Sequence, residues 1–373
     1  MTQTIVVLGG SFAGLQIAHR LLKNTRKSVK DLKVILVSKN SHFYWNIASV
    51  RAIIPGILKD EEFSQPIEKG FSQYPSDAFE FIVGTAEGAD FDAKTVKVTT
   101  ADGERVVSYD HLVLATGTRT AGEDVVPWKA NGTHEEVMDT LHKTAEKVTA
   151  AKHIVVGGAG ATGVETAGEL GFEFRKNKEI ILLCGDDQIL NGDIVASNAV
   201  NELKKLDVTI KMNSRVASTT VLPDGKTEVT LKNGEKISTD LYLPTVGMAP
   251  NTEYLPEKVL KDDKFVAIDE FYRVKNVTNV WAAGDIVWQP RGGFVIADKQ
   301  AAGVAKNIDL VLHDKNPTPV KLLPMDVLVA ATGRSRGVGR MGSVKLFSYL
   351  VYMAKGKTLG LQQLPGILNG TAY

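Results

Sequence analysis

Two short stretches of this sequence have the residue types and spacing to hold a phosphate. VLGGSFAG (7–14) and VVGGAGATG (155–163) each follow a β-branched run and each precede a helical pattern. In a G-x-G-x-x-G turn the first glycine makes the bend, the second lets a pyrophosphate approach the backbone, and the third lets helix and strand pack closely. The anion then lies on the helix N-terminus, among free N–H groups. The second copy is complete, with Gly158, Gly160 and Gly163 around Ala161 and Thr162. The first reads Gly9, Gly10, Ser11, Phe12, Ala13, Gly14, with Ser11 in the place of the middle glycine. Serine is small, and its hydroxyl can itself reach a phosphate oxygen. Two such turns in one chain point to two dinucleotides.

A carboxylate usually ends the second strand of such a unit and takes a ribose hydroxyl. Neither copy has one in place. The first offers Ser38 and then Lys39; the second offers Cys184, Gly185, Asp186 and Asp187. Ser38 can bond a ribose hydroxyl, and Asp186 can do so from slightly further on. An acid there repels the 2′-phosphate of NADPH, and no arginine stands there to attract it, so NADH is the expected coenzyme, with NADPH as the alternative. Asp186 and Asp187 also suit a plain solvated turn.

Strands and helices alternate around these turns. The pattern predicts a strand over 4–10, a helix over 12–23 and a second strand over 33–39, and it restarts near residue 152. Continuous apolar strands separated by helices predict parallel sheets covered on both faces. The repeat predicts two Rossmann-like α/β dinucleotide-binding domains, 1–122 with 247–320 and 123–246, plus a small C-terminal α+β domain, 321–373, joined through the polar, proline-bearing HDKNPTPVK (313–321).

Composition narrows the rest. The chain has 373 residues, 43% hydrophobic and 23% charged, with a net charge of +1, which gives no reason to expect nucleic acid. Its one cysteine, Cys184, excludes a redox C-x-x-C pair. Thr2 stands where N-myristoylation needs glycine, and no leader pattern precedes the first strand, so a cytoplasmic location is expected. The histidines show no metal-ligand spacing, and no metal is expected.

Together GGSFAG, HLVLATGT, VVGGAGATGVE, LPTVGMAPN and NVWAAGD resemble the pyridine nucleotide–disulfide oxidoreductase superfamily over residues 4–312. FYWNIASVRA (43–52) and ATGRSRGVGRMG (331–342) are similar to the apoptosis-inducing-factor-like group, which includes the ferroptosis suppressor proteins. That resemblance implies a glutathione-reductase-like fold and FAD contacts from the first turn, Ser38, Lys39, Arg51, Ala86, Thr116, Gly117, Gly284 and Asp285. Asp285 would meet the ribityl chain. It also implies Glu165 near the nicotinamide and Gly247 at a crossover between the halves. Read from the residues alone, Arg51 also suits a solvated surface, and Glu165 a first-turn helix position that complements the dipole. The implied reaction is hydride transfer from NAD(P)H to FAD and electron delivery to a quinone-type acceptor, with no protein nucleophile or general base. The alternatives are an NADH-sensing interaction protein with little turnover and a ferredoxin- or rubredoxin-type reductase. VKLFSYLVYMAKGK (344–357) carries apolar residues between lysines. A packed core, a homodimer contact and an interfacial membrane helix all remain open for it. Arg334, Arg336 and Arg340 suit either the acceptor mouth or a surface loop.

Overall fold

The computed structural model describes residues 2–121, 126–322 and 325–373, so the domain boundary expected between 122 and 123 lies outside the described residues. Along the chain run β1 (Gln3–Leu8), α1 (Phe12–Lys23), β2 (Leu32–Ser38), α2 (Ser49–Ala52), β3 (Phe79–Val83) and β4 (His111–Leu114). Then come α3 (His134–Ala150), β5 (His153–Gly157), α4 (Ala161–Phe174), β6 (Glu179–Leu183), α5 (Ala196–Lys204), β7 (Val208–Lys211) and β8 (Leu241–Pro244). The chain continues through β9 (Val280–Ala282), α6 (Phe294–Leu312), β10 (Val327–Ala331), β11 (Gly337–Met341), β12 (Val344–Lys345), α7 (Ser348–Val351) and α8 (Leu364–Leu368).

Two parallel sheets result. The first has the order β9-β4-β1-β2-β3 and the second β8-β5-β6-β7. Without β9 the two orders are the same, so the sequence repeat is a repeat of architecture. Each half also carries a three-stranded antiparallel meander, over 85–108 and 216–239. The central strands are apolar on both faces, and Ile5, Val6, Val7 and Ile154, Val155, Val156 are fully buried, as doubly covered parallel sheets require. The mixed α/β class with Rossmann-like parallel cores is therefore as expected.

Helix α1 spans the predicted residues. The tail differs from one of its readings. Residues 344–357 do not form a single helix: they divide into β12, α7 and a π-helical turn, Tyr352–Gly356. Strand β12 pairs with β11, which consumes the first part of the segment (Met341 opposite Val344).

The tail is bolted to both halves. The Arg51 guanidinium donates to Glu169 Oε1 from Nε (3.0 Å) and Nη2 (2.6 Å), and to the Gly356 and Lys357 carbonyls (2.6 and 2.9 Å). Arg334 meets the other Glu169 oxygen at 3.2 Å. Glu169 is fully buried and Arg51 nearly so. The surface reading of Arg51 is thus wrong: a buried carboxylate on α4 requires its charge. His19 on α1 donates from Nε2 to the Leu368 carbonyl (2.8 Å), so its Nδ1 accepts from the Tyr74 hydroxyl (2.9 Å). Burial holds its pKa down at about 4, with the Leu368 bond opposing that shift.

These contacts set two expectations for stability. Removing one partner of a buried ion pair strands the other, at a cost of about 3–5 kcal/mol. Arg51→Ala should lose about 3 kcal/mol in urea unfolding, whereas Lys97→Ala, which breaks the exposed pair with Glu104, should lose no more than about 0.5 kcal/mol. His19 is neutral when folded and protonates near 6.5 when unfolded, so the unfolded chain takes up protons first. Its contribution of about 3 kcal/mol should be intact above pH 6.5 and vanish as pH falls towards 4. His19→Gln should therefore destabilise the protein less at pH 5 than at pH 7.

Candidate functional site

Both glycine turns lie at the C-terminal edges of their sheets, where open α/β sheets bind ligands. In the first half the Gly9 N–H donates to the Val37 carbonyl (2.8 Å), and Gly9 adopts φ +115°. A Cβ on Gly9 would overlap the Ala115 carbonyl, and one on Gly14 would overlap the Gly9 carbonyl. The second half repeats this geometry: Gly158 has φ +110°, and a Cβ on Gly163 would overlap the Gly158 carbonyl. Absent side chains therefore let each helix N-terminus close on its strand. A Cβ at Gly160 would meet nothing within 4 Å, so that side of the turn is open. Ser11 and Gly160 cap their helices without a side-chain bond, and neither first turn contains an acid. The positive ends of α1 and α4 are thus left for an external anion, as a pyrophosphate cradle needs.

Around the first turn the structure gathers most of the residues expected at FAD. Ser38 is buried against Gly10, and its hydroxyl donates to the Asn40 carbonyl (2.7 Å). Gly84 donates to the Ser38 carbonyl at 2.9 Å, which brings Ala86 close behind. Lys39 reaches Glu136 at 3.7 Å and so leans towards α3. Thr116 and Gly117 follow β4, while Gly284 lies against Ala13 of the first turn (3.2 Å to an added Cβ). Asp285 comes next and carries a partner the sequence did not signal. Lys129, from the segment joining the halves, sits 2.5 Å from its Oδ2 and also donates to Thr118 (3.0 Å). Asp285 Oδ1 accepts the Gly293 N–H at the start of α6 (3.2 Å). Arg51 is set apart from this group, with its donors committed to Glu169 and to the tail.

The two crossovers pair with each other. Thr118, Arg119 and Thr120 lie antiparallel to Pro250, Ala249 and Met248. The Asn251 amide donates to the Thr116 carbonyl, and the Thr116 hydroxyl donates to the Asn251 carbonyl, each at 2.8 Å. Gly247 makes the bend with φ +73° and lies against Ala121. The halves are thus fixed edge to edge at the place where two ligands would meet.

On the second half, Glu165 sits in the second turn of α4, not the first, so helix-dipole complementarity is not its role. It is buried, accepts the Ala331 N–H (2.9 Å) and pairs with Lys355 (2.6 Å). The tail thus supplies a cation beside the residue expected at the nicotinamide. Cys184 follows β6, buried, with its thiol donating to the Gln188 carbonyl (3.3 Å); burial raises its pKa. Among the described residues no three His, Cys, Asp or Glu side chains could hold a metal.

The expectation that no arginine stands at the ribose end of β6 is overturned. The Arg215 stem lies over Gly185, and its Nη2 pairs with Asp186 Oδ1 at 2.6 Å. Backbone bonds from Asn213 to Asp186 (2.9 Å) and from Ser214 to Cys184 (2.7 Å) place Arg215 there. It is 29 residues from Asp186 and belongs to no motif, so only the parallel pairing of β6 with β7 reveals it.

A model of the pyridine nucleotide-disulphide oxidoreductase family matches residues 3–313. The chain belongs to that family. It is an oxidoreductase of a group of NAD(P)H-dependent flavoproteins. Among its relatives is oxidoreductase ptaL of Pestalotiopsis fici, 43% identical over 98% of this chain and 99% of the relative. Ferroptosis suppressor protein 1 of Xenopus tropicalis is 25% identical over 95% and 93%, which makes the apoptosis-inducing-factor-like resemblance a distant one. The sulfide:quinone oxidoreductase of Aquifex aeolicus has the same fold, with a TM-score of 0.79 over 99% of this chain and 92% of that one, at 19% identity.

The Arg215–Asp186 pair yields a test of coenzyme choice. A 2′-phosphate can take Arg215, and a bare ribose can take Asp186. Arg215→Ala should raise the NADPH dissociation constant roughly tenfold and leave that for NADH within about twofold, read by tryptophan fluorescence titration.

Proposed function

We propose that this chain oxidises NAD(P)H through a bound FAD and passes the electrons to a small quinone-type acceptor. The observation that carries the reading is the coexistence of two phosphate cradles with a sole cysteine that is buried and not activated. Two nucleotide sites supply a donor and a carrier. A disulfide relay through Cys184 has no second sulfur, so the electrons must leave for an external acceptor. The Aquifex aeolicus enzyme that shares this fold is a quinone oxidoreductase, which supports that acceptor class.

In this reading the Gly9–Gly14 turn, Ser38 and Thr116–Gly117 bind FAD, and Asp285 takes a ribityl hydroxyl. The Gly158–Gly163 turn with Asp186 and Arg215 binds the coenzyme. Glu165 and Lys355 flank the nicotinamide. Bound FAD supplies hydride acceptance and onward electron delivery. The chain contributes alignment, because the paired crossovers hold both cradles in one frame. It also contributes charge: Lys129 and Lys355 each keep an ammonium at the site, compensated by Asp285 and Glu165.

Purified protein should be yellow, and anaerobic NADH should bleach the flavin band. A soluble quinone should then support many turnovers per flavin. Bleaching one equivalent with negligible turnover would favour the NADH-sensing alternative, and colourless protein that stays so with excess FAD would refute both. Asp285→Ala should lower flavin content after gel filtration.

A further inference from the structure

The tail carries a surface that the redox reading does not use. The exposed large hydrophobic side chains include Met325, Met341, Val344, Phe347, Tyr349, Leu350 and Met353, all within 29 residues of sequence. They also converge in space. Met341 pairs with Val344 across the β11–β12 turn, and Met325 lies against that turn at Gly342. Phe347 caps α7 at its N-terminus, Leu350 lies within it and Met353 in the turn after it, and all three are exposed. Val351, between Leu350 and Met353, is fully buried and packs against Gly337 and Gly339 of β11. Phe347 is 80% exposed, the most of any large hydrophobic side chain in this group. Exposed apolar side chains concentrated in this way mark an interaction site.

Charge identifies the partner. After Asp326 the chain has six lysines and arginines and no acid, although the whole sequence carries only +1. Arg334, Arg340 and Lys355 are spent inward on Glu169, Glu173, Asp193, Asp326 and Glu165. Lys345, which donates to Asn198 (3.2 Å), and Lys357 are exposed and bracket the apolar turn, with Arg336 exposed nearby. No helix among the described residues is long and apolar enough to cross a bilayer. Short apolar turns flanked by lysines suit the boundary between lipid headgroups and acyl chains, especially where the headgroups are anionic.

We propose that Phe347, Leu350 and Met353 dock the protein peripherally on anionic lipid surfaces, with Lys345 and Lys357 supplying the charge contact. The buried side of the same turn carries Lys355 and Gly356, which hold Glu165 and Arg51. Docking would therefore seat the candidate site close to the lipid.

The test is co-sedimentation of the full chain with phosphatidylcholine vesicles, and with vesicles that also contain phosphatidylserine. Binding should require phosphatidylserine and weaken with salt. Lys345→Ala and Lys357→Ala should each weaken it roughly fivefold, and Phe347→Asp with Leu350→Asp at least ~tenfold. These exposed positions should leave folding, flavin content and turnover of a soluble quinone unchanged, so this test and that of the redox reading fail separately. No binding, or equal binding to neutral vesicles, overturns the proposal. So does a dimer in sedimentation analysis that Phe347→Asp with Leu350→Asp converts to monomer, because the face would then belong to a second copy.

Discussion

One carboxylate holds the molecule together. Glu169 has no contact with water and reaches two arginines, one from the first nucleotide half and one from the tail. A bare charge in that position would be intolerable, so the three parts of the chain must assemble around it in one arrangement. That requirement also sets the site. Helix α4 carries Glu169 and, one turn earlier, Glu165, so the contact that secures the tail also delivers Lys355 to the second cradle. Stability and site geometry share a helix.

The cradles follow a different rule, exclusion of side chains. Gly9 and Gly14, and again Gly158 and Gly163, let a helix end approach a strand end to within contact of the backbone. Nothing in either first turn neutralises the helix terminus. The two copies then diverge in their surroundings. Ser38 is walled in by Gly10 and the Asn40 carbonyl, whereas Asp186 and Arg215 are open to solvent. A permanently held group suits the first environment, and an exchanging one suits the second.

Much of this was legible in the sequence because it is local. A glycine turn, the strand before it and the helix after it are contiguous, and period and composition define them. The repeat of the strand–turn–helix pattern was legible for the same reason. The cations at the site were not. Lys129 meets Asp285 across 156 residues, and Lys355 meets Glu165 across 190. Arg215 reaches Asp186 through the neighbouring strand. Arg51 could be read as solvated because its partner lies 118 positions away. The 344–357 segment misled because strand pairing with β11 competes with helix periodicity there, and pairing wins over its first residues.

The bond from His19 to Leu368, and that from Lys23 to the Gly370 carbonyl (2.5 Å), have a consequence for biosynthesis. Helix α1 leaves the ribosome long before α8 and the residues after it, which cover part of it. Strand β9 likewise reaches the first sheet only after the whole second half has been made. The N-terminal layer must therefore wait, partly uncovered, until the tail has been made. A nascent chain that has not reached Leu368 thus presents the N-terminal layer to chaperones.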